Sequence, residues 1–379
     1  MIYLDNAATT PVSSSVLAAA LPYFSEKYGN PGSMHAAGRE AANAVSKARE
    51  QVAALFHTTP EHVIFTSGGS EGNSMVLRNG FMRAIISDGE HHSILAAAEH
   101  IPQPQAEAGL LPNGTVDLDA LKNTKVVGSH FPTVCSIMYV NNETGAVNDV
   151  EAISRWCREN NLWYHCDCVQ AVGVRDLDMP RLGCDSASIS AHKFHGFKGA
   201  GALYVKDPER LLPLIHGGDV QEFGLRGGTE NVPGIVAMGQ AAQDVLDHIA
   251  TPFPPYKRLL YDALRGRLAG LLYNADTILT VNGPDVDEPG RILSLQIKGI
   301  DAQTLLLLLS ANGVCVSAGS ACNASSSEPS HVLRAMGLTD EEISSTIRIS
   351  FSEENTSDEA VRAGEIIGGC IHALFSTMF

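Results

Sequence analysis

The stretch SASISAHKFHGFKGAGALYV, residues 186–205, concentrates residue types that can do chemistry. A run of small residues ends at Ser190, Ala191, His192 and Lys193, and glycines follow at 196, 199 and 201. The run reads as a core strand, and a lysine at the end of such a strand is costly to bury as an ammonium. Its neutral amine is the nucleophile of Schiff-base chemistry. Earlier in the chain, YHCDCVQAVG sets Asp167 at the end of another candidate strand, with Gln170 three residues on. Pyridoxal phosphate sites use a carboxylate to keep the ring nitrogen protonated and a lysine to hold the aldehyde. An acid and a lysine on neighbouring strand ends suit both tasks, although either residue alone is an ordinary strand-end side chain.

Other segments supply complementary groups. FTSGGSEGN (65–73) reads as a strand, a Gly-Gly turn and a helix start around Gly69 and Ser70. Backbone N–H groups at a helix N-terminus make an anion site. The GK[ST] element of a nucleotide-binding loop is missing. GEHHSI offers His91 and His92 for stacking or proton transfer, and VNNETG offers Asn141, Asn142 and Glu143 in a polar turn. Cys322, in VSAGSAC, sits among small residues, which suits an exposed thiol that travels. Cys315, Cys166 and Cys168 read as structural. Arg348 in STIRIS faces away from Ile347 and Ile349 in a strand. An arginine fork held there fits a carboxylate.

These groups need a scaffold that gathers strand ends. Up to residue 250, strand-like and helix-like segments alternate: strands at 62–66, 84–87, 136–140, 162–167, 186–190 and 201–205, helices at 45–55 and 150–160. That alternation implies an α/β fold with a mainly parallel sheet, and functional residues at its carboxyl ends. Pro252, Pro254 and Pro255 break the pattern. An α+β unit follows, with segments at 291–299, 301–313 and 345–352.

Composition narrows the function. In 379 residues, 26 Lys and Arg face 42 Asp and Glu, a net charge of −16, which argues against generic nucleic-acid binding. The longest run of leucine, Leu305 to Leu309, is far short of the ~20 residues that span a bilayer. No secretory signal pattern opens the chain, and none of the eight cysteines forms C-x-x-C, so a cytoplasmic location with free thiols is expected.

Taken in order, the motifs resemble those of the cysteine desulfurases of the first class, within the fold-type-I pyridoxal phosphate enzymes. The likeness runs through YLDNAATTPV (3–12), YGNPGSMHAAGREA (28–41), FTSGGSEGN, EHH, VNNETG, HCDCVQAVG, SAHKFHGFKGAGALYV, LRGGTENV (225–232), VSAGSACNASSSEPSHVLRAMGL (316–338) and TIRISF (346–351). It implies a large cofactor domain over 12–250 with a seven-stranded, mainly parallel sheet. A smaller α+β domain would comprise 1–11 and 251–379. It further implies that Lys193 holds the aldehyde of pyridoxal 5'-phosphate, Asp167 pairs with the ring nitrogen, Gln170 with the phenolic oxygen, and His91 stacks on the ring. Gly69, Ser70, Ser190 and His192 would hold the phosphate, and Thr229 would reach the phosphate of a neighbouring subunit in a homodimer. Asn142 and Arg348 would bind the carboxylate of L-cysteine, Asn142 also lying against the cofactor. Cys322 would take the sulfur as a persulfide, leaving L-alanine, and pass it to a protein acceptor serving iron–sulfur assembly, tRNA thiolation or DNA sulfur modification. Ala191, Gly69-Ser70 and Cys168-Val169 depart from the Gly, Ala-Thr and Ala-Thr of similar proteins. A selenocysteine or cysteine-sulfinate lyase and an inactive structural partner are the alternatives. Cys322 argues against the first, and the presence of Lys193, Asp167 and Cys322 together against the second.

Overall fold

The computed structural model describes residues 1–103, 106–124, 132–218, 220–271, 273–318 and 328–378. Its first strands are β1 (Ile2–Tyr3), β2 (Val63–Thr66), β3 (Arg83–Ser87), β4 (Ala106–Ala108), β5 (Thr133–Ser136), β6 (Trp163–Asp167), β7 (Ser186–Ser190) and β8 (Gly201–Val205). Then come β9 (Leu279–Asn282), β10 (Ile292–Ile297), β11 (Val314–Cys315), β12 (Ser317–Ala318) and β13 (Thr346–Ser350).

Seven strands form one sheet in the order β2-β8-β7-β6-β5-β3-β4, and only β8 runs antiparallel to its neighbours. All residues of β2 and β5 through β8 are buried, as expected of a sheet covered on both faces. One face packs Ala187 and Ile189 of β7 with helices Ala36–Leu55, Val150–Glu159 and Val232–His248. On the other, helix Gly69–Leu77 buries Met75, Val76 and Leu77 beside Ile94 and Leu203. The small residues of β7 have a use here. A Cβ on Gly72 would come within 2.6 Å of Ser188 Oγ, so the helix lies close on the strand.

A second core gathers Leu293, Leu295, Ile347 and Ile349 with helices Tyr256–Gly270, Ala302–Ala311 and Ser357–Met378. Its sheet is antiparallel, in the order β12-β13-β10-β9. Ile2 and Leu4 bury in this core, and β1 pairs with β11. The N-terminal strand therefore belongs with residues more than 300 positions away. The three prolines lie in the gap between the helix ending at His248 and the helix starting at Tyr256.

The strand expected at 136–140 is displaced: β5 is Thr133–Ser136. The chain stays extended beyond it, where Ile137 and Tyr139 N–H donate to the carbonyls of His165 and Asp167. The apolar run thus marks the continuation of the strand rather than its start. No helix among the described residues is long and apolar enough to cross a membrane.

Candidate active site

A cavity of about 380 Å3 opens at the carboxyl ends of the parallel strands, within the range of small-molecule sites. Gly69, Ser70, His91, Asn142, Asp167, Gln170, Ser190, His192, Lys193 and Arg348 all line it. Asp167 and Ser190 end β6 and β7, and Lys193 closes the turn Ala191–Lys193 after β7. Arg348 arrives from β13 in the other core. Thr229 lies outside the cavity and is exposed. Cys322 lies outside the described residues.

The floor is dense with hydrogen bonds. Asp167 accepts from Asn73 Nδ2 at 2.8 Å and from the Val169 N–H at 2.9 Å. Lys193 Nζ donates to the carbonyls of Ala7 and Ala8 at 2.6 and 2.8 Å. The carbonyl of Lys193 is held in turn by Arg291, whose buried guanidinium donates to it at 2.9 Å and also to the Val172 carbonyl. Gln170 Nε2 donates to the Ala7 carbonyl at 2.9 Å, while its Oε1 is buried without a partner among the described residues.

His91 caps helix His92–Ala98, its Nδ1 accepting from the Ser93 N–H at 3.1 Å. Burial lowers its pKa, with Lys193 and His92 adding to the shift and Asp167 opposing it. At neutral pH the ring is therefore neutral, with its proton on Nε2. His192 is also neutral, brought down to about 4 by burial and by Lys193 and Lys198.

At the rim, Arg348 is almost fully buried and already oriented. It donates to the Asn142 carbonyl and to Asp5 Oδ1, each at 3.0 Å. Its Nε and the Asn142 Oδ1 are buried without partners among the described residues. Glu143, beside them, has its pKa pushed up to about 7 by burial, against the opposing pull of its Ser330 hydrogen bond and of Arg348.

The departures noted in the sequence have local reasons. A Cβ on Gly69 would meet Val169 Cγ2 at 2.6 Å, so glycine at one position answers valine at the other. Likewise, a Cβ on Gly196 would meet the Ala191 methyl at 2.7 Å, so Gly196 leaves that methyl its space.

Sequence reasoning missed Asp5, Ala7, Ala8, Asn73 and Ser93. Asn73 had a signal: it follows Ser70 by three residues on one helix, hence on the same face. Ala7 and Ala8 act through backbone carbonyls, which no residue type reveals.

The donor set fits pyridoxal phosphate. The first-turn N–H groups of helix Gly69–Leu77 have no partners within the helix, and Gly68 gives no side-chain cap. That is an anion seat, with Ser190 and His192 beside it. Asp167 faces the same space as a carboxylate for a ring N–H, and Lys193 offers the amine for an aldehyde. The Aminotransferase class-V family model matches residues 2–362.

The chain belongs to the class-V aminotransferase family.

Among its relatives, a cysteine desulfurase of Nostoc sp. is 39% identical, over 99% of this chain and 94% of its own. The cysteine desulfurase IscS of Methanosarcina thermophila is 36% identical over 98% and 92%. A NifS-like protein of Rickettsia africae has a similar structure, with a TM-score of 0.86, 31% identity and 99% coverage of both chains. SspA in complex with cysteine matches at a TM-score of 0.77 and 30% identity, over 94% of this chain and all of that one. Pyridoxal 5'-phosphate is the cofactor of this family.

Proposed function

We propose that this chain is a pyridoxal phosphate-dependent cysteine desulfurase, which takes sulfur from L-cysteine, releases L-alanine and carries the sulfur as a persulfide on Cys322. The observation that carries the reading is the meeting, in one cavity, of Lys193 and Asp167 from the sheet with Arg348 from the second core.

Residue roles follow from chemistry and position. Gly69, Ser70, Ser190 and His192 hold the phosphate, Asp167 the ring nitrogen and Gln170 the phenolic oxygen. His91 lies against the ring. Arg348 binds the substrate carboxylate with Asn142, and its preset orientation reduces the ordering cost of that contact. When bound, pyridoxal phosphate supplies an electron sink for the substrate α-carbon. Lys193 moves the α-proton, and the neutral His91 exchanges a proton at Nε2. The Cys322 thiolate attacks the substrate sulfur: an S–S bond forms, the C–S bond breaks, and its electron pair stays with carbon. Protonation of that carbon completes L-alanine.

The remaining parts of the proposal have narrower support. Thr229 reaches the phosphate of a second copy in a homodimer; its exposure outside its own cavity supports this. Exposed Leu21, Phe24, Tyr28 and Met34 offer apolar surface to that copy. The two cores support a division into 12–250 against 1–11 with 251–379. The free state of the seven described cysteines supports a reducing, cytoplasmic location. A protein acceptor then takes the sulfur from Cys322.

The test is alanine release from L-cysteine with a thiol reductant, native protein against Cys322→Ala. Release by the native protein alone supports the reading. Equal release by both removes Cys322 from the mechanism and favours a lyase.

A further inference from the structure

We propose that Asn73 is a positioning residue that orients Asp167 and His91 together, and that His165 fixes which way its amide faces. The proposal rests on the cavity holding pyridoxal phosphate, since that is what Asp167 and His91 would meet.

The direction of every hydrogen bond around Asn73 can be worked out. Asn73 is buried, and its Nδ2 lies 2.8 Å from Asp167 Oδ2 and 2.9 Å from Ser93 Oγ. A carboxylate only accepts, so the NH2 group must face Asp167. Asn73 Oδ1 then faces His165 Nε2 at 3.0 Å, and that nitrogen must carry the proton. His165 is fully buried and neutral, its pKa lowered to about 3 by burial, so Nδ1 is bare. Ser186 Oγ supplies a hydroxyl proton to Nδ1 at 2.9 Å while accepting from Trp163 Nε1 at 2.8 Å.

The other branch is equally determined. Ser93 Oγ accepts from Asn73 and lies 2.8 Å from His91 Nδ1, which receives its proton. That nitrogen already accepts from the Ser93 N–H. The proton of His91 is therefore on Nε2. One directional chain runs from the Trp163 indole through Ser186, His165 and Asn73, then forks to Asp167 and, through Ser93, to His91. A reversed Asn73 amide would set its oxygen against the Asp167 carboxylate and its NH2 against the His165 N–H. With its proton on Nε2, His165 opposes that reversal, and the Ser186 hydroxyl can donate to its bare Nδ1.

The experiment has two arms. In the first, histidine 15N spectra of the native apoprotein report the tautomer of His165. Nε2–H between pH 5 and 8 is expected; an Nδ1–H tautomer overturns the proposal. In the second, pyridoxal phosphate is titrated into apoprotein and its affinity read by fluorescence quenching. Asn73→Ala and His165→Met should each weaken it about tenfold, the scale of one buried hydrogen bond to a charged network. His165→Gln keeps an N–H donor near the Nε2 position and should stay within about threefold of native. Native affinity in Asn73→Ala, or equal losses in the two His165 variants, would mean that the side chains merely fill space. Circular dichroism checks folding, and if the variants do not fold the tautomer arm decides alone. A native apoprotein that takes up no pyridoxal phosphate would count against the functional reading, whereas the tautomer result stands independently of it.

Discussion

The floor and the rim of the cavity are built differently. At the floor, both Asp167 oxygens and the Lys193 amine are held by partners within the chain. At the rim, Arg348 Nε and Asn142 Oδ1 are buried with none among the described residues. Gln170, also at the floor, uses its amide nitrogen and leaves its oxygen without a partner among the described residues. An unmade buried hydrogen bond costs about 1–3 kcal/mol, so most folds avoid it. Its survival at the rim is what the proposed substrate site requires, whereas the held side chains of Asp167 and Lys193 suit a group that stays. Fixed geometry serves the resident; spare hydrogen-bonding capacity serves the visitor.

The largest effects should come from the groups that do chemistry between floor and rim. Lys193→Ala and Cys322→Ala should each cut alanine release from L-cysteine by at least about 10³-fold. Of the two, only Lys193→Ala should abolish the visible absorbance of the loaded protein. Loss of that absorbance in Cys322→Ala would break the separation between holding the cofactor and accepting sulfur.

Arg348→Lys tests the rim alone. It keeps the charge but loses the planar fork, and should raise the KM for L-cysteine about 10–100-fold. Cofactor affinity should stay near native. A comparable loss of both would show that rim and floor are one unit.

Glu143 adds a pH dependence to the rim. Its folded pKa is raised to about 7 from the ordinary 4.5. The folded state therefore binds more protons than the unfolded one between those values. The stability contributed by this group is complete below pH 4.5 and is lost as pH rises through about 7. Glu143→Gln should remove that decline, a gain of up to about 3 kcal/mol above pH 7, read from urea unfolding at pH 5 and pH 8.

The smallest expected change is in Thr229→Ala. One hydroxyl to a phosphate should be worth about 3–10-fold in cofactor affinity. Under the homodimer reading, mixed dimers should show the loss only at sites facing the altered subunit. Loss confined to the altered subunit's own site would overturn the shared arrangement.

The floor was more legible in sequence than the network beneath it. Asp167, Ser190 and Lys193 announce themselves because a charged or polar side chain at the end of a buried strand is costly and therefore informative. Arg348 showed in the same way between two isoleucines. The extended segment at 136–140 was recognised as apolar, yet its strand begins at Thr133, where no alternation marks the boundary. Asn73 had only its spacing from Ser70 to mark it, because a polar residue near a helix start is common and its importance depends on what lies across from it. The carbonyls of Ala7 and Ala8 belong to residues with no polar side chain at all. Long-range placement, not residue type, gives them their role.

The N-terminal strand has a consequence for the order in which the molecule is made. Residues 4–7 are seated by Ser350: the Ser350 N–H donates to the Leu4 carbonyl, Asn6 N–H donates to the Ser350 carbonyl, and Ala7 N–H donates to Ser350 Oγ. The carbonyls that hold the Lys193 amine follow directly from that seat. On the ribosome, synthesis proceeds from the N-terminus, and domains generally fold as units. The sheet bearing Lys193 emerges long before β13. Until β13 arrives, the opening segment has β11 to pair with but lacks its Ser350 seat, and Arg348 does not exist. A nascent chain can thus carry a finished sheet while Lys193 lacks its native clamp. Completion of the catalytic centre is deferred until translation has passed residue 350.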